Sequence, residues 1–372
     1  MFRGFAASCW QLARREAVLC IAVALAALSA VAVPPSAAYL GYLDWDTLAQ
    51  LFSLMAVMKG FQQEGLFLWL GSRLLRRCAS TRSVVLALVA LPFFSSMAIT
   101  NDVSLITFVP FGLTVLRMAG QEHLAVPVAV LQTAAANLGS MLTPMGNPQN
   151  LYLYARSGMG FWGLCGLMLP YVAVSGACLA VLVLLHPPIP LAGVAVPARL
   201  GSRRALCRHG AGFGLCLLGL FGVVPPPVVA AVVAGVLLAV DRRPLAGVDY
   251  PLLGTFAGFF IFIGNLSAVP AFRQLLAAVL EGREALVAVA ASQVISNVPA
   301  ALLLSGFTSR WDALLVGCNL GGLGTLIASM ASLISYKLVV QAYPARKGAY
   351  LRWFTLCNLG LLGVLGLLAA LL

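Results

Sequence analysis

Two stretches of this sequence, Asn137-Leu-Gly-Ser-Met-Leu-Thr143 and Asn319-Leu-Gly-Gly-Leu-Gly-Thr325, share the pattern Asn-Leu-Gly-x-x-x-Thr. Each stretch interrupts a long apolar run with glycines and polar residues. Glycine loosens the backbone, and clustered polar side chains compete for its hydrogen bonds. The pattern therefore predicts two discontinuous helices, over residues 126–154 and 312–340.

Each of these runs follows a segment in which two short apolar pieces flank a polar tip. The tips are Ile99-Thr-Asn-Asp102, within residues 83–118, and Ser296-Asn-Val-Pro299, within residues 285–309. Each piece is too short to cross about 30 Å of hydrocarbon comfortably. Non-helical backbone is tolerated at membrane depth only where protein or a watery cavity satisfies it. We therefore expect two re-entrant helical hairpins.

The composition around these motifs is that of a membrane protein. Of 372 residues, 61% are hydrophobic and 9% are charged, and the mean hydropathy is +0.98. A membrane span needs about 20 apolar residues. The sequence predicts an all-α polytopic membrane protein with about nine crossings and two hairpins, and it leaves no room for a soluble catalytic domain of ordinary size.

The first apolar run, residues 17–33, follows Arg3, Arg14 and Arg15. The small residues after Pro34 resemble a signal-peptide cleavage site, but we expect a retained first helix because many spans follow. With the N-terminus in the cytoplasm, most lysines and arginines fall in cytoplasmic loops. This is the asymmetry that the positive-inside rule demands of a multi-pass protein of the inner (plasma) membrane.

The formal net charge of +12 is thus explained by topology, and no nucleic-acid partner is expected. The nine cysteines lie mostly in apolar runs at no metal-binding spacing. We expect neither a disulfide framework nor a metal site.

The order of span, tipped hairpin and broken helix occurs twice along the chain. We assign residues 1–200 to a first repeat and residues 201–372 to a second. A short additional crossing around Pro225-Pro-Pro227 gives the second repeat the opposite orientation. Inverted repeats with interrupted helices are the architecture of secondary transporters that alternate access around a midplane site.

The polar tips and breaks supply the candidate site. Half-helix N-termini attract anions, while unwound carbonyls and side-chain oxygens can replace the water around a cation. Taken singly, these residues would be ordinary helix caps, but their pairing by repeat favours a functional site. The two clusters are Thr100, Asn101, Asp102, Asn137, Gly139, Ser140, Thr143 and Asn147, and Ser296, Asn297, Asn319, Gly322, Thr325 and Ser329.

Asp102 is the acidic residue that this topology places deep in the membrane. A buried carboxylate is neutralised by a proton or recruits a cation. We expect Asp102 to couple transport to Na⁺ or H⁺, with no other cofactor. The structural alternative is that Asp102 caps a helix beginning at Val103.

These motifs resemble those of the ion transporter superfamily, which includes divalent anion:sodium symporters, citrate permeases and arsenite permeases. The similar segments are Ser95 to Pro110, Ala136 to Asn150, Ser292 to Ala300 and Asn319 to Ser332. Together they span most of the chain. In the symporters, the resemblance implies Ser-Asn-Thr tips that hold sodium and contact a carboxylate substrate.

Carried across to this sequence, the implied tip positions are Thr100-Asn-Asp102 and Ser296-Asn-Val298. Asp102 and Val298 replace the threonine expected to meet a dicarboxylate, and the Asn-Asp tip is closer to the arsenite permease pattern. The resulting substrate-binding set is Asn101, Asp102, Thr143, Asn147, Asn297, Val298 and Thr325. The cation-binding set is Thr100, Asn101, Asp102, Asn137, Gly139, Ser296, Asn297, Asn319 and Gly322.

The function expected from these observations is cation-coupled secondary transport of a small anion, with a di- or tricarboxylate as the first choice. Arsenite or antimonite efflux and Na⁺/H⁺ exchange are the alternatives within transport. A passive channel would lack saturable, gradient-driven uptake. An intramembrane enzyme is disfavoured because the sequence has no HExxH motif. The remaining spans would form a scaffold, which could pair into a homodimer.

Overall fold

The computed structural model describes residues 16–190 and 196–372. Arg3, Arg14 and Arg15 of the topology prediction lie outside the described residues. Regular structure within the described part is helical, apart from an isolated β-bridge between Ser80 and Pro190.

The first half of the chain forms nine α-helices within the described residues. They are α1 (Ala17–Ser29), α2 (Ala38–Tyr42), α3 (Trp45–Gln63), α4 (Leu66–Leu75), α5 (Thr81–Ser95), α6 (Asn101–Met118), α7 (Ala125–Gly139), α8 (Pro148–Ser157) and α9 (Phe161–Leu184).

The second half of the described chain forms ten α-helices. They are α10 (Arg203–Leu220), α11 (Pro226–Val240), α12 (Arg243–Ala246), α13 (Tyr250–Ser267), α14 (Pro270–Leu280), α15 (Glu284–Ile295), α16 (Asn297–Ser305), α17 (Trp311–Leu320), α18 (Met330–Ala342) and α19 (Lys347–Leu371).

Four helical segments of the described chain are long and apolar enough to cross a membrane. They are Glu122–Leu142, Phe161–Leu184, Tyr250–Ser267 and Pro344–Leu371. Seven further apolar helices have 10–17 residues. The all-α, polytopic class is the one that the sequence predicted; the number of crossings, the repeats and the re-entrance of the hairpins stay predictions.

The described chain divides into two compact units. One comprises the described part of Met1–Lys59 with Gly210–Arg283 and Leu302–Ser309. The other comprises Gly60–His209, Glu284–Ala301 and Arg310–Leu372, apart from the residues that are not described.

In the first of these units, α1 packs closely against α13. A Cβ atom on Gly258 would lie 3.1 Å from Ala22, so the absence of a side chain lets the two helices approach. The Asn265 amide donates to Ser29 Oγ at 3.0 Å and to Tyr39 OH at 2.8 Å. Interhelical hydrogen bonds of this kind satisfy polar side chains that lipid could not.

The second unit is built around α7, in which 14 of 15 residues are buried. Its apolar residues pack against α6, α18 and α19 in a core that includes Leu105, Ala129, Ala331, Tyr350 and Phe354. A helix that is apolar on all sides and buried on all sides marks the centre of a bundle. Both breaks and both polar tips belong to this unit.

Three local features of the helices differ from the sequence predictions or add to them. Helix α10 begins at Arg203, so its first turns carry basic side chains. Helix α14 was not predicted; its proline at the first position and exposed apolar residues are typical of a surface helix. Helix α6 begins at Asn101, so the alternative in which Asp102 caps a helix starting at Val103 is wrong.

Candidate functional site

The first break, defined here as residues 140–147, lies between α7 and α8. Two short 3-10 turns, Ser140–Leu142 and Pro144–Gly146, replace the α-helix. Asn147 then caps α8, because its side-chain oxygen accepts a hydrogen bond from the backbone N–H of Asn150 at 2.9 Å. Proline at the first position of α8 suits this start because no N–H is needed there.

Asn150 closes the first break. Its side-chain amide donates towards the carbonyls of Ser140, Met141 and Thr143 at 3.4, 3.1 and 3.3 Å. These carbonyls lack the regular partners of an α-helix, and buried backbone groups need partners. Asn150 was quoted in the family resemblance but not selected as a site residue. Its position three residues after a capping asparagine was the available signal.

The second break, defined here as residues 321–329, lies between α17 and α18. Gln293 of α15 holds it, donating to the carbonyls of Gly321 and Leu323 at 3.0 Å each. Its side-chain oxygen accepts from the Thr325 N–H at 2.8 Å. Gly324 has φ +102°, a conformation that a side chain would strain. Gln293 was also missed as a site residue; a polar side chain inside an apolar helix was the signal.

The two asparagines of the repeated pattern reach across to opposite breaks. Asn137 donates to Ser332 Oγ at 3.2 Å and accepts from Ser329 Oγ at 3.2 Å. Ser329 is the N-cap position of α18 and Ser332 its third residue. The asparagine of α7 therefore binds the start of α18.

Asn319 does the same in the other direction. It donates to Asn150 Oδ1 at 2.7 Å and accepts from Asn147 Nδ2 at 3.3 Å. Asn147 is the N-cap of α8 and Asn150 its third residue. The asparagine of α17 therefore binds the start of α8, and the two crossings use equivalent positions.

Ser140 joins the two crossings into one network. Its hydroxyl donates to the Asn137 carbonyl at 2.9 Å and accepts from Asn147 Nδ2 at 3.1 Å. The Asn101 amide donates to Asn137 Oδ1 at 3.0 Å, which adds the first tip. The Asn297 N–H donates to the Ala328 carbonyl at 2.9 Å, beside Ser329, which adds the second. Amides and hydroxyls of the first tip and of both breaks thus form one buried cluster, and the second tip is joined to the second break through the backbone N–H of Asn297.

The paired glycines of the repeated pattern let α5 and α15 approach the breaks. A Cβ atom on Gly139 would lie 2.0 Å from the Phe93 carbonyl oxygen and 2.8 Å from Ser96 Oγ. A Cβ atom on Gly321 would lie 2.5 Å from Ser292 Oγ. Ser96 and Ser292 each stand five residues before the asparagine of a tip. Glycine allows both close approaches, because a side chain at either position would force its neighbour to move.

The paired threonines have matching contacts as well. The Thr143 hydroxyl donates to the Met97 carbonyl, and the Thr325 hydroxyl donates to the Gln293 carbonyl at 3.1 Å. Met97 and Gln293 each stand four residues before a tip asparagine. Each threonine therefore binds its break to the neighbouring helix pair, which is α5 with α6 for Thr143 and α15 with α16 for Thr325. Neither hydroxyl has a hydrogen bond to the asparagine network among the described contacts.

The two tips differ in their backbone. Thr100 precedes α6 in extended conformation, and Asp102 lies half-buried in the first turn of α6, where its N–H donates to Asn101 Oδ1 at 3.0 Å. Ser296 has φ +74°, which costs a non-glycine residue about 1–2 kcal/mol. Such strain persists only where the surrounding contacts hold it, and it is concentrated at functional sites.

The remaining predicted residues lie around the second tip. A Cβ atom on Gly322 would lie 3.0 Å from Asn297 Nδ2, so this glycine gives the tip amide its space. Val298 is buried with 6% of its surface exposed. Among residues 16–190 and 196–372, no group of three or more His, Cys, Asp or Glu side chains could hold a metal ion.

A sequence profile identifies the group of proteins to which this arrangement belongs. The profile of the citrate transporter family matches residues 5–309. This chain belongs to the citrate transporter family. The family assignment confirms the resemblance seen in the tip and break motifs.

Relatives of this citrate transporter family member are named as membrane proteins or transporters. It is 32% identical over 316 residues to the inner membrane protein YbiR of Escherichia coli, covering 80% of each chain. It is 30% identical over 298 residues to the transporter MJ0456 of Methanocaldococcus jannaschii, covering 79% of this chain and 81% of that one.

A shorter match, 32% identical over 120 residues, covers 32% of this chain and 24% of the silicon efflux transporter LSI3 of Oryza sativa subsp. japonica. The family, MJ0456 and LSI3 are named as transporters, and YbiR is named as an inner membrane protein. This chain is therefore a multi-pass membrane transporter of the citrate and ion transporter type.

Proposed function

We propose that this protein is a secondary active transporter that couples Na⁺ or H⁺ to the movement of a small anion, with a di- or tricarboxylate as substrate. The crossed asparagines carry this proposal. Asn137 binds the start of α18 and Asn319 binds the start of α8. Two half-helices thereby present their N-termini to one polar cluster.

The matching contacts support two inverted repeats, residues 1–200 and 201–372. The asparagine of each Asn-Leu-Gly-x-x-x-Thr motif binds the helix that follows the other motif. The glycine and threonine of each motif contact residues at equivalent positions before the neighbouring tip. Chance similarity of sequence would not reproduce three kinds of contact. In transporters, such repeats meet at the substrate site and exchange conformations during alternating access.

An anion is favoured by the convergence of helix N-termini. Helices α6 and α16 begin at Asn101 and Asn297, and the N-cap positions of α8 and α18 are Asn147 and Ser329. Each N-terminus is equivalent to roughly half a positive charge. Exposed N–H groups in a first turn bind carboxylates and other oxyanions.

The coupling cation would use the oxygens of the same cluster. We assign it to the amide and hydroxyl oxygens of Asn101, Asn137, Ser296 and Asn297, with the Asp102 carboxylate providing charge balance or a proton site. Oxygen ligands of this type suit a hard cation such as Na⁺. Cation binding would order both tips and complete the anion site, so uptake should depend on the cation gradient.

Uptake into proteoliposomes tests the proposal. Labelled citrate, succinate and malate are offered under an imposed Na⁺ gradient, an imposed proton gradient, or neither. We expect saturable uptake of one carboxylate that requires one of the two gradients. Uptake that is linear in substrate concentration and independent of both gradients would show a passive channel instead.

Substitution of the tips localises the site. Asn101→Ala and Asn297→Ala should each lower the initial rate about tenfold or more, because a hydrogen bond to a charged ligand contributes about 1.5–3 kcal/mol. Asn358→Ala is the matched control. Its amide bonds only to the Phe354 carbonyl of its own helix among the described contacts, at 2.9 Å. Wild-type rates in both tip variants would exclude the assigned site.

A second candidate, efflux of arsenite or antimonite, is favoured by the neutral amides and hydroxyls that line the cluster. A small hydroxylated acid that carries no charge could hydrogen-bond to them without a counter-ion. The match to a silicon efflux transporter points the same way. Arsenite movement in the same vesicles, or Na⁺/H⁺ exchange without any anion, would replace the carboxylate assignment.

A further inference from the structure

A groove of about 530 Å³ opens in the unit that contains the breaks. Helix α4 forms one wall, and α5 with Phe108 of α6 forms the other. The groove is separate from the asparagine network, although Ser95 at its end bonds to Ser104 at 3.0 Å within the helix pair α5 and α6.

Helix α4 has two distinct faces. Gly71 and Leu75 are buried against the protein. Leu70, Arg73 and Leu74 lie at helical spacing on the other face and line the groove, together with Arg77 from the turn that follows the helix. Leu70 and Leu74 are 45% and 41% exposed, and Phe94 across the groove is 64% exposed. The groove is therefore apolar along its length with two guanidinium groups at one side.

Both arginines are available to a ligand. They are exposed, and the Arg73 guanidinium lies 5.4 Å from the centre of the Trp69 ring, over its face. Among residues 16–190 and 196–372, no carboxylate forms a salt bridge with either of them. A single guanidinium group can bind a phosphate by two parallel hydrogen bonds.

We propose that this groove binds an anionic phospholipid, with its phosphate on Arg73 and Arg77 and an acyl chain along Leu70, Leu74 and Phe94. The occupant must be both anionic and apolar, because two cations and an apolar trough share one cavity. A basic site beside membrane helices has this preference for anionic headgroups. A zwitterionic lipid would fill the trough but bring no net charge to the arginines.

Thermal unfolding of the full chain in non-ionic detergent tests the site. Dioleoyl phosphatidylglycerol should raise Tm more than dioleoyl phosphatidylcholine at the same concentration, because a ligand that binds the folded state stabilises it by mass action. Equal shifts with the two lipids would overturn the proposal. The wild-type comparison is decisive by itself, whatever the variants do.

The variants locate the effect. Arg73→Gln with Arg77→Gln should lower the apparent affinity for phosphatidylglycerol roughly thirtyfold, since each basic residue near an anionic headgroup contributes about 1 kcal/mol. The matched control, Arg203→Gln with Arg204→Gln, changes the charge equally at two exposed residues outside the groove and should keep the preference. If the control also lost its preference for phosphatidylglycerol, the preference would depend on the overall charge of the protein and not on this groove.

Two further additions distinguish the sources of the anion. Glycerol 1-phosphate, which has the headgroup chemistry without the chains, should give little stabilisation. If it matched phosphatidylglycerol, the apolar trough would have no role and the lipid assignment would fall. If citrate displaced phosphatidylglycerol, measured as bound lipid by native mass spectrometry, the groove would be an entrance for the transported anion rather than a lipid site.

Discussion

The two breaks share the crossed asparagine contacts but are held by different residues. The first is closed by Asn147 and Asn150 from its own helix α8, and most of its residues are buried. The second is capped at Ser329, is held by Gln293 from α15, and exposes Thr325 and Ile327.

The difference shows which break can rearrange. Asn150 belongs to α8, the helix that directly follows the first break, so its bonds make α8 and the break move together. Gln293 binds the second break to the neighbouring helix pair, so a movement of α15 would release it. Water can replace the partners of an exposed segment but not those of a buried one. We expect the second break to be the more mobile of the two.

The largest effect is expected at Asn150. Asn150→Ala removes the donor to three carbonyls of the first break and the acceptor for Asn319, all buried or half-buried. Each unsatisfied buried group costs about 1–3 kcal/mol, so the variant should lose about 4 kcal/mol of stability. Thermal unfolding in detergent, beside Asn358→Ala, measures it. A loss no greater than in the control would remove Asn150 from its closing role.

The next largest effects are expected from alanine at the paired glycines, where the loss of stability should differ between the two breaks. Gly139→Ala directs its methyl group at the Phe93 backbone, which can move only with α5, and should cost about 3 kcal/mol. Gly321→Ala meets mainly the Ser292 side chain and should cost about 2 kcal/mol. Ser292→Gly should recover part of the Gly321→Ala loss. If the two alanine variants lost equal stability and Ser292→Gly recovered none of it, backbone atoms would limit the close approach at both glycines.

The smallest effect is expected at Gln293. Gln293→Ala removes two bonds donated to the second break and one accepted from it, but the segment it holds reaches the surface at Thr325. Because water can replace these bonds in part, the loss should be about 1–2 kcal/mol. Hydrogen exchange of residues 321–329 should rise in this variant while residues 140–147 stay protected. Unchanged exchange would show that Gln293 does not hold the second break.

Much of the candidate site was predictable because its signals are local. Asparagine, glycine and threonine at fixed spacing interrupt an apolar run whatever surrounds them, and both helices end within these motifs, at Gly139 and Leu320. Apolar runs of span length identify a membrane protein for the same reason. The roles of Asn150 and Gln293 were not predictable at this level, because a polar residue in the first or last turn of a helix has several possible partners.

The sequence by itself determined the membrane class, the positions of the breaks and the pairing of Asn137 with Asn319, since composition and spacing are properties of the chain alone. The tertiary structure decided that each asparagine binds the start of the other broken helix, 169–195 residues away. It also formed the groove beside Arg73 and Arg77. Contacts at such separations depend on how helices pack, and packing follows from the shapes of many side chains together.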